Sequence, residues 1–117
     1  QPLTRPGLHV VATETDHWVE NLTGLGGCGA HLFLTLVRQH ARQGHPLLPV
    51  LQVAAPAEAS RVAAADIDAF LSGDPAADTA ILLRLVTATA AGDLVPAANT
   101  SGLVDFQLSR GLLGVST

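Results

Sequence analysis

The chain of 117 residues has one cysteine, no methionine, no tyrosine and no lysine. A single thiol, Cys28, cannot staple the chain to itself, so a disulfide scaffold is excluded. Aromatic residues amount to three Phe and one Trp. The core must therefore be aliphatic and alanine-rich, without the large area that each ring buries. The six basic residues are all arginine and face ten acidic ones, for a net charge of −4. No basic patch is available to grip nucleic acid. Charged residues are only 14% of the chain and hydrophobic residues 48%, the reverse of a disordered composition. Apolar runs are short: Leu47–Leu51 is interrupted by Pro49, and none approaches the ~20 residues of a membrane span. Gln1–Gly7 carries no apolar core of a signal peptide. One domain over residues 1–117, in the cytoplasm, is the expectation.

Hydrophobic patterning supplies the elements. Leu8-His-Val-Val-Ala-Thr13, opening after Pro6-Gly7, reads as a first strand. Val19 to Gly24 reads as a brief helix running into the small-residue stretch Gly24–Gly29. Ala30–Val37 is nearly unbroken in apolar residues, as in a strand buried on both faces of a parallel sheet. Leu48–Ala54 reads as a third strand, with Pro49 near its start, where a missing N–H is tolerable. Pro56 introduces an alanine-rich helix over Ala57–Ala65. The clearest pattern is a helix over Ala77–Ala91, with Ile81, Leu82, Leu85, Val86 and Thr89 at helical spacing, Asp78 in its first turn and Gly92 at its stop. Leu103–Leu108 reads as an edge strand. The alternation predicts an α/β fold, a small Rossmann-like sandwich with a mainly parallel sheet flanked by helices.

Several of these segments, taken in order, resemble the C-terminal domain of the altronate and galactarate dehydratases, which are sugar-acid hydro-lyases. The resemblance runs through Pro6-Gly7-Leu8, Glu20-Asn-Leu-Thr-Gly-Leu25, Gly29-Ala-His-Leu-Phe-Leu34, Leu48-Pro-Val-Leu-Gln-Val53 and Asp66-Ile-Asp68. It continues through Ala90-Ala-Gly92, Asp105-Phe-Gln-Leu and Arg110-Gly-Leu-Leu-Gly114, and so spans nearly the whole chain. It implies a C-terminal domain or subunit of a dehydratase, not catalytic alone. Its partners would be a catalytic domain or second subunit, and iron or manganese would belong to the whole enzyme rather than to this chain. The departures are specific. Family members follow the apolar strand with a loop of the type Phe-Thr-Thr-Gly-Arg-Gly, where this chain has Thr35-Leu-Val-Arg-Gln-His-Ala-Arg-Gln-Gly44. Glycines that present backbone N–H groups to an anion are missing there, and Ala55-Pro56 replaces the Asn that usually follows the third strand.

Candidate site residues follow from the rule that ligands sit beyond the carboxyl ends of parallel strands. That rule gathers Glu14, Asp16 and His17 from one turn with Arg38, His40 and Arg42 from the next loop. Such a cluster suits a sugar acid, with arginine on its carboxylate; the competing reading is ordinary solvated loops. A metal held by His17, His40 and His45 with Glu14 or Asp16 has the right ligand types but no compact spacing. His31, inside an apolar run, reads as a structural histidine, and Cys28 as a buried structural thiol, since its only local base would be His31. The glycines of Gly24–Gly29 lie between helix and strand. Phosphate loops run from strand to helix, so close packing is the better account. Two further functions remain open, a stand-alone sugar-acid-binding or regulatory module and a structural oligomerisation domain. The aliphatic composition leads us to expect a homo-oligomer or a stable complex, through Val62–Leu71 and Leu103–Leu113.

Overall fold

The computed structural model describes residues 4–13, 15–58 and 63–108. Along them run α1 (Trp18–Gly27), β1 (Phe33–Val37), β2 (Val50–Ala54), β3 (Ala69–Phe70), α2 (Pro75–Ala91) and α3 (Ala97–Ser101), with single 3-10 turns at Pro56–Glu58 and Ala64–Asp66. The three strands form one sheet in the order β1-β2-β3, and both pairs are parallel. This is an α/β fold. Pairing runs from Phe33 opposite Val50 to Val37 opposite Ala54, and then from Val53 opposite Ala69 to Ala54 opposite Phe70.

The central strand is β2, where all five residues are buried. Its near-continuous apolar sequence has the form expected of a strand covered on both faces. β1 departs from its predicted environment: Leu34 and Leu36 are 45% and 58% exposed while Val37 is buried. The cause is its place at the sheet edge, because the predicted first strand, Leu8–Thr13, does not join the sheet. That segment forms no ladder, with Leu8 97% and Val10 95% exposed. Strand propensity expresses fit to a pleated, half-buried surface, and in this chain the segment has no such surface under it.

Two further expectations change. The predicted helix over Ala57–Ala65 is represented by the two 3-10 turns at its ends, and residues 59–62 lie outside the described residues. Leu103–Leu108 is not a strand; it contributes an isolated parallel bridge from Val104 to Gly44.

The helix predicted over Ala77–Ala91 is present and begins at Pro75. Asp74 caps it, its carboxylate accepting from the Ala77 N–H at 3.1 Å, and Pro75 occupies the first turn, where its missing N–H costs nothing. Asp78 reaches back to accept from the Ser72 N–H (2.7 Å), the Ser72 hydroxyl (2.8 Å) and the Gly73 N–H (3.0 Å). These bonds, the Ser72 N–H first, hold its carboxyl below the usual aspartate range. Gly92 ends the helix at φ 82°, returning its N–H to Ala88 and Thr89, a left-handed cap that glycine adopts without a Cβ clash. α2 lays Ile81, Leu82, Leu85 and Val86 on Leu51 and Val53 of β2, and Leu32, Ala69, Leu71 and Leu94 complete that layer. A second cluster joins Val37, Ala54 and Ile67, with Ala41 and Phe70 against it. Ile67 is buried, and Phe70 and Leu71 are partly buried against these clusters. Among the described residues no helix is long and apolar enough to cross a membrane.

Candidate functional site

Residues 38–49 connect β1 to β2 without a helix or strand of their own. A stretch of that kind loses conformational entropy when ordered, so directional bonds must hold it. Gln52 supplies two. It sits in the middle of β2 with 0% exposure, its Oε1 accepting from the Arg42 N–H and its Nε2 donating to the Arg42 carbonyl, both at 2.7 Å. The amide side chain thereby pairs with Arg42 as a neighbouring strand would. Asp68 secures Gln52 from behind, accepting from the Gln52 N–H (2.7 Å) with one oxygen and from the Ala97 N–H (2.9 Å) with the other.

His45 is the second anchor and is 2% exposed. Its Nδ1 accepts from the Leu47 N–H at 3.2 Å, and its Nε2 lies 3.1 Å from the Thr23 hydroxyl. That hydroxyl donates to the Val19 carbonyl at 3.0 Å, so it accepts from His45. The network assigns the neutral tautomer with the proton on Nε2, and burial pushes the His45 pKa below its ordinary value. Phe106 stands edge-on to the imidazole, 5.3 Å between centroids. The His45 carbonyl accepts from Asn99 Nδ2 at 3.1 Å. Gly44 exchanges backbone bonds with Leu103 and Asp105. A Cβ at Gly44 would come within 3.0 Å of the Ala98 Cβ, which accounts for glycine there.

α1 closes the loop from the other side. Val19 and Leu22 are buried; Thr23 meets His45, and at Gly26 a methyl group would run into Leu48. These positions, spaced i, i+3, i+4 and i+7, make one helix face. Close packing accounts for Gly26 alone in the glycine stretch: a Cβ at Gly24, Gly27 or Gly29 would meet nothing within 4 Å, and the neighbour of Gly26 belongs to the loop rather than to the sheet. Trp18 begins the helix, its Nε1 donating to the Gln43 carbonyl at 2.7 Å, and the Arg42 guanidinium lies 5.4 Å from its ring centroid, within cation–π range.

Beyond the carboxyl end of β1 these constraints leave an open-sided pocket of about 300 Å³, lined by Leu36, Val37, Arg38, Gln39, His40 and Arg42. Three of the predicted site residues, Arg38, His40 and Arg42, therefore share one cavity. Asp16 and His17 are exposed and do not line it; the turn reaches the loop through Trp18 instead. Glu14 lies outside the described residues. Among those residues neither Arg38 nor His40 has a carboxylate partner, so a guanidinium and an imidazole are available in a concave, partly apolar setting. No three His, Cys, Asp or Glu side chains converge among the described residues, and both ring nitrogens of His45 are engaged in hydrogen bonds.

Gln52, His45, Asp68, Trp18 and Asn99 were not singled out from the sequence as the supports of this loop. One signal was present for Gln52: a lone amide inside an apolar strand must find partners when buried. Compared with models of known protein families, with curated proteins and with solved structures, the chain matches none.

Proposed function

We propose that this chain binds the carboxylate of a small hydroxy acid, as the non-catalytic C-terminal part of a sugar-acid dehydratase of the altronate and galactarate type, in the cytoplasm. The observation that carries the reading is the pocket past the carboxyl end of β1, with Arg38, His40 and Arg42 in its wall. The ordered resemblance described above supports the substrate class. Arginine offers a planar pair of N–H donors that matches a carboxylate, and the Leu36 and Val37 wall lowers the competition from water. Arg42 is the better-placed cation, because Gln52 holds its backbone and Trp18 supports its guanidinium. In dehydration a base removes the proton beside the carboxylate and hydroxide then leaves. His40 is the imidazole of the pocket, and no carboxylate lines the pocket to orient it as that base; this reading therefore assigns the chemistry to a catalytic domain or second subunit.

Titration of the purified chain with galactarate, followed by amide NMR and calorimetry, tests this reading. Galactarate is expected to shift the amides of residues 38–42, and galactitol, with the same carbon skeleton but no carboxylate, is expected to leave them in place. Losing one charge-assisted contact of about 1.5 kcal/mol predicts that Arg42→Ala weakens binding roughly tenfold. Galactarate and galactitol behaving alike would remove the proposal. Formation of 2-keto acid by the chain alone, with iron or manganese added, would overturn its non-catalytic part.

A further inference from the structure

The open edge of β1 and the unpaired segment Leu8–Thr13 have complementary chemistry. β1 is the terminal strand of the sheet, and among the described residues no strand pairs with its outer side. An uncovered edge presents a row of free N–H and C=O groups, which proteins ordinarily cover, charge or twist away. Here the edge is neither charged nor interrupted by proline: β1 reads Phe-Leu-Thr-Leu-Val. The register places Leu34 beside Leu51 and Leu36 beside Val53, on the face that α2 covers. That cover stops short of β1, leaving Leu34 and Leu36 as an exposed apolar ledge.

Leu8–Thr13 has what such an edge lacks. Alternation puts Leu8, Val10 and Ala12 on one side of an extended segment and His9, Val11 and Thr13 on the other. Both leading residues are almost fully exposed, and none of the six enters a ladder. Among the described residues its side chains make one local hydrogen bond, between His9 Nε2 and the Arg5 carbonyl at 2.8 Å. Further along the chain the Trp18 bond to Gln43 fixes the start of α1.

We infer that the occupant of the β1 edge is the Leu8–Thr13 arm of a second copy of this chain. Two copies exchange arms about a two-fold axis, each arm adding a strand to the other's sheet. This closes both open edges with one self-complementary contact, as symmetric dimers require. Main-chain bonds to β1 supply affinity, and Leu8 and Val10 lying over Leu34 and Leu36 set the register. The inference does not depend on the ligand proposed above, because the ledge lies on the edge and α2 face of the sheet and only Leu36 is shared with the pocket wall.

The test combines sedimentation of the full chain over a hundredfold concentration range with isotope-filtered NMR on a mixture of labelled and unlabelled copies. A reversible dimer is expected, with intermolecular contacts between the methyls of Leu8 or Val10 and those of Leu34 or Leu36. Val10→Lys and Leu34→Lys are each expected to raise the dimer dissociation constant at least tenfold while leaving the far-ultraviolet circular dichroism unchanged. Leu83→Lys, at an exposed leucine on α2, is expected to leave it unaltered. A monomer at every concentration, a dimer indifferent to Val10→Lys, or arm contacts found only within one labelled copy would each overturn the exchange.

Discussion

Replacing Gln52 by methionine removes both bonds to Arg42 while keeping the length and volume of the side chain. The Arg42 N–H and C=O then face an apolar side chain in place of the amide that pairs with them at 2.7 Å. An unsatisfied backbone group costs about 1–3 kcal/mol when water cannot reach it. The Arg42 side chain is exposed, so water relieves part of this. Methionine also gains some transfer free energy over an amide, on the order of 1 kcal/mol. The balance is a loss of about 2 kcal/mol, a large share of the ~5–15 kcal/mol that holds a domain of this size. Urea unfolding at neutral pH reads it as a lower midpoint with an unchanged slope. A cost below about 0.5 kcal/mol would show that the clamp is dispensable and refute the account of how the loop is held. Gln52→Glu sharpens the test. Its ionised carboxylate keeps the acceptor for the Arg42 N–H but has no donor for the Arg42 carbonyl, whereas the protonated form supplies an O–H there; burial also favours the protonated form, so the folded pKa is raised. A raised folded pKa gives stability that is present below the unfolded value of about 4.3 and is lost as pH rises through the folded one. The gap between Gln52→Glu and the parent is therefore expected to widen between pH 4.5 and pH 8, to about 2–4 kcal/mol.

Leu85 is the buried centre of the α2 layer, and Leu85→Ala is expected to cost about 3 kcal/mol in urea unfolding through lost transfer energy and the cavity left behind. For His45 the lowered folded pKa means that the unfolded state binds the proton first. Its contribution to stability is therefore complete above about pH 6.5 and declines as pH falls below that value. Urea midpoints measured from pH 7.5 to pH 5 should show this fall, and His45→Gln should flatten it. Asp78, whose carboxyl is also lowered, adds a separate loss as pH falls below the ordinary aspartate range near 3.9.

What the sequence made legible divides by the range of the interaction. α2 could be read because its spacing, Asp78 in the first turn and Gly92 at the stop are local signals, each acting within a turn or two of its own position. β2 could be read because five consecutive buried positions leave a continuous apolar record. Leu8–Thr13 has the same local pattern as a paired strand; only the presence or absence of a neighbour distinguishes the two, and a single segment does not encode that. β3 is two residues long, too short for any periodicity. Of the alanine-rich stretch after Pro56 the described ends form 3-10 turns, and Asp68 draws the following chain to β2 through the Gln52 N–H. The strand-end rule gathered Arg38, His40 and Arg42 because they follow β1 directly, and they line one pocket. Asp16 and His17 were not brought to the same pocket: α1 begins at Trp18 and presents the indole, not the preceding polar residues, to Gln43.

The supports of the loop are polar although an apolar core lies directly beneath them, and that choice bears on recognition. Apolar packing would bury residues 38–49 without fixing the direction in which each side chain leaves the backbone, since dispersion and transfer energies are nearly isotropic. The Gln52 pair defines both the position and the plane of the Arg42 peptide, and His45 holds Thr23 and Leu47 through its ring and Asn99 through its backbone carbonyl. Backbone order is thus established in the fold, and the guanidinium of Arg42 keeps only side-chain freedom to lose on binding, which lowers the cost of association. Arg38 follows β1 at the pocket wall without such a clamp. Changes at the two kinds of position should separate accordingly. Arg38→Ala removes a pocket cation and leaves unfolding untouched, whereas Gln52→Met lowers stability and also loosens the Arg42 backbone, so that any carboxylate affinity falls although no atom of Gln52 lines the pocket. If both variants lost affinity with no change in unfolding, the clamp would be acting as a ligand contact rather than as a positioning bond.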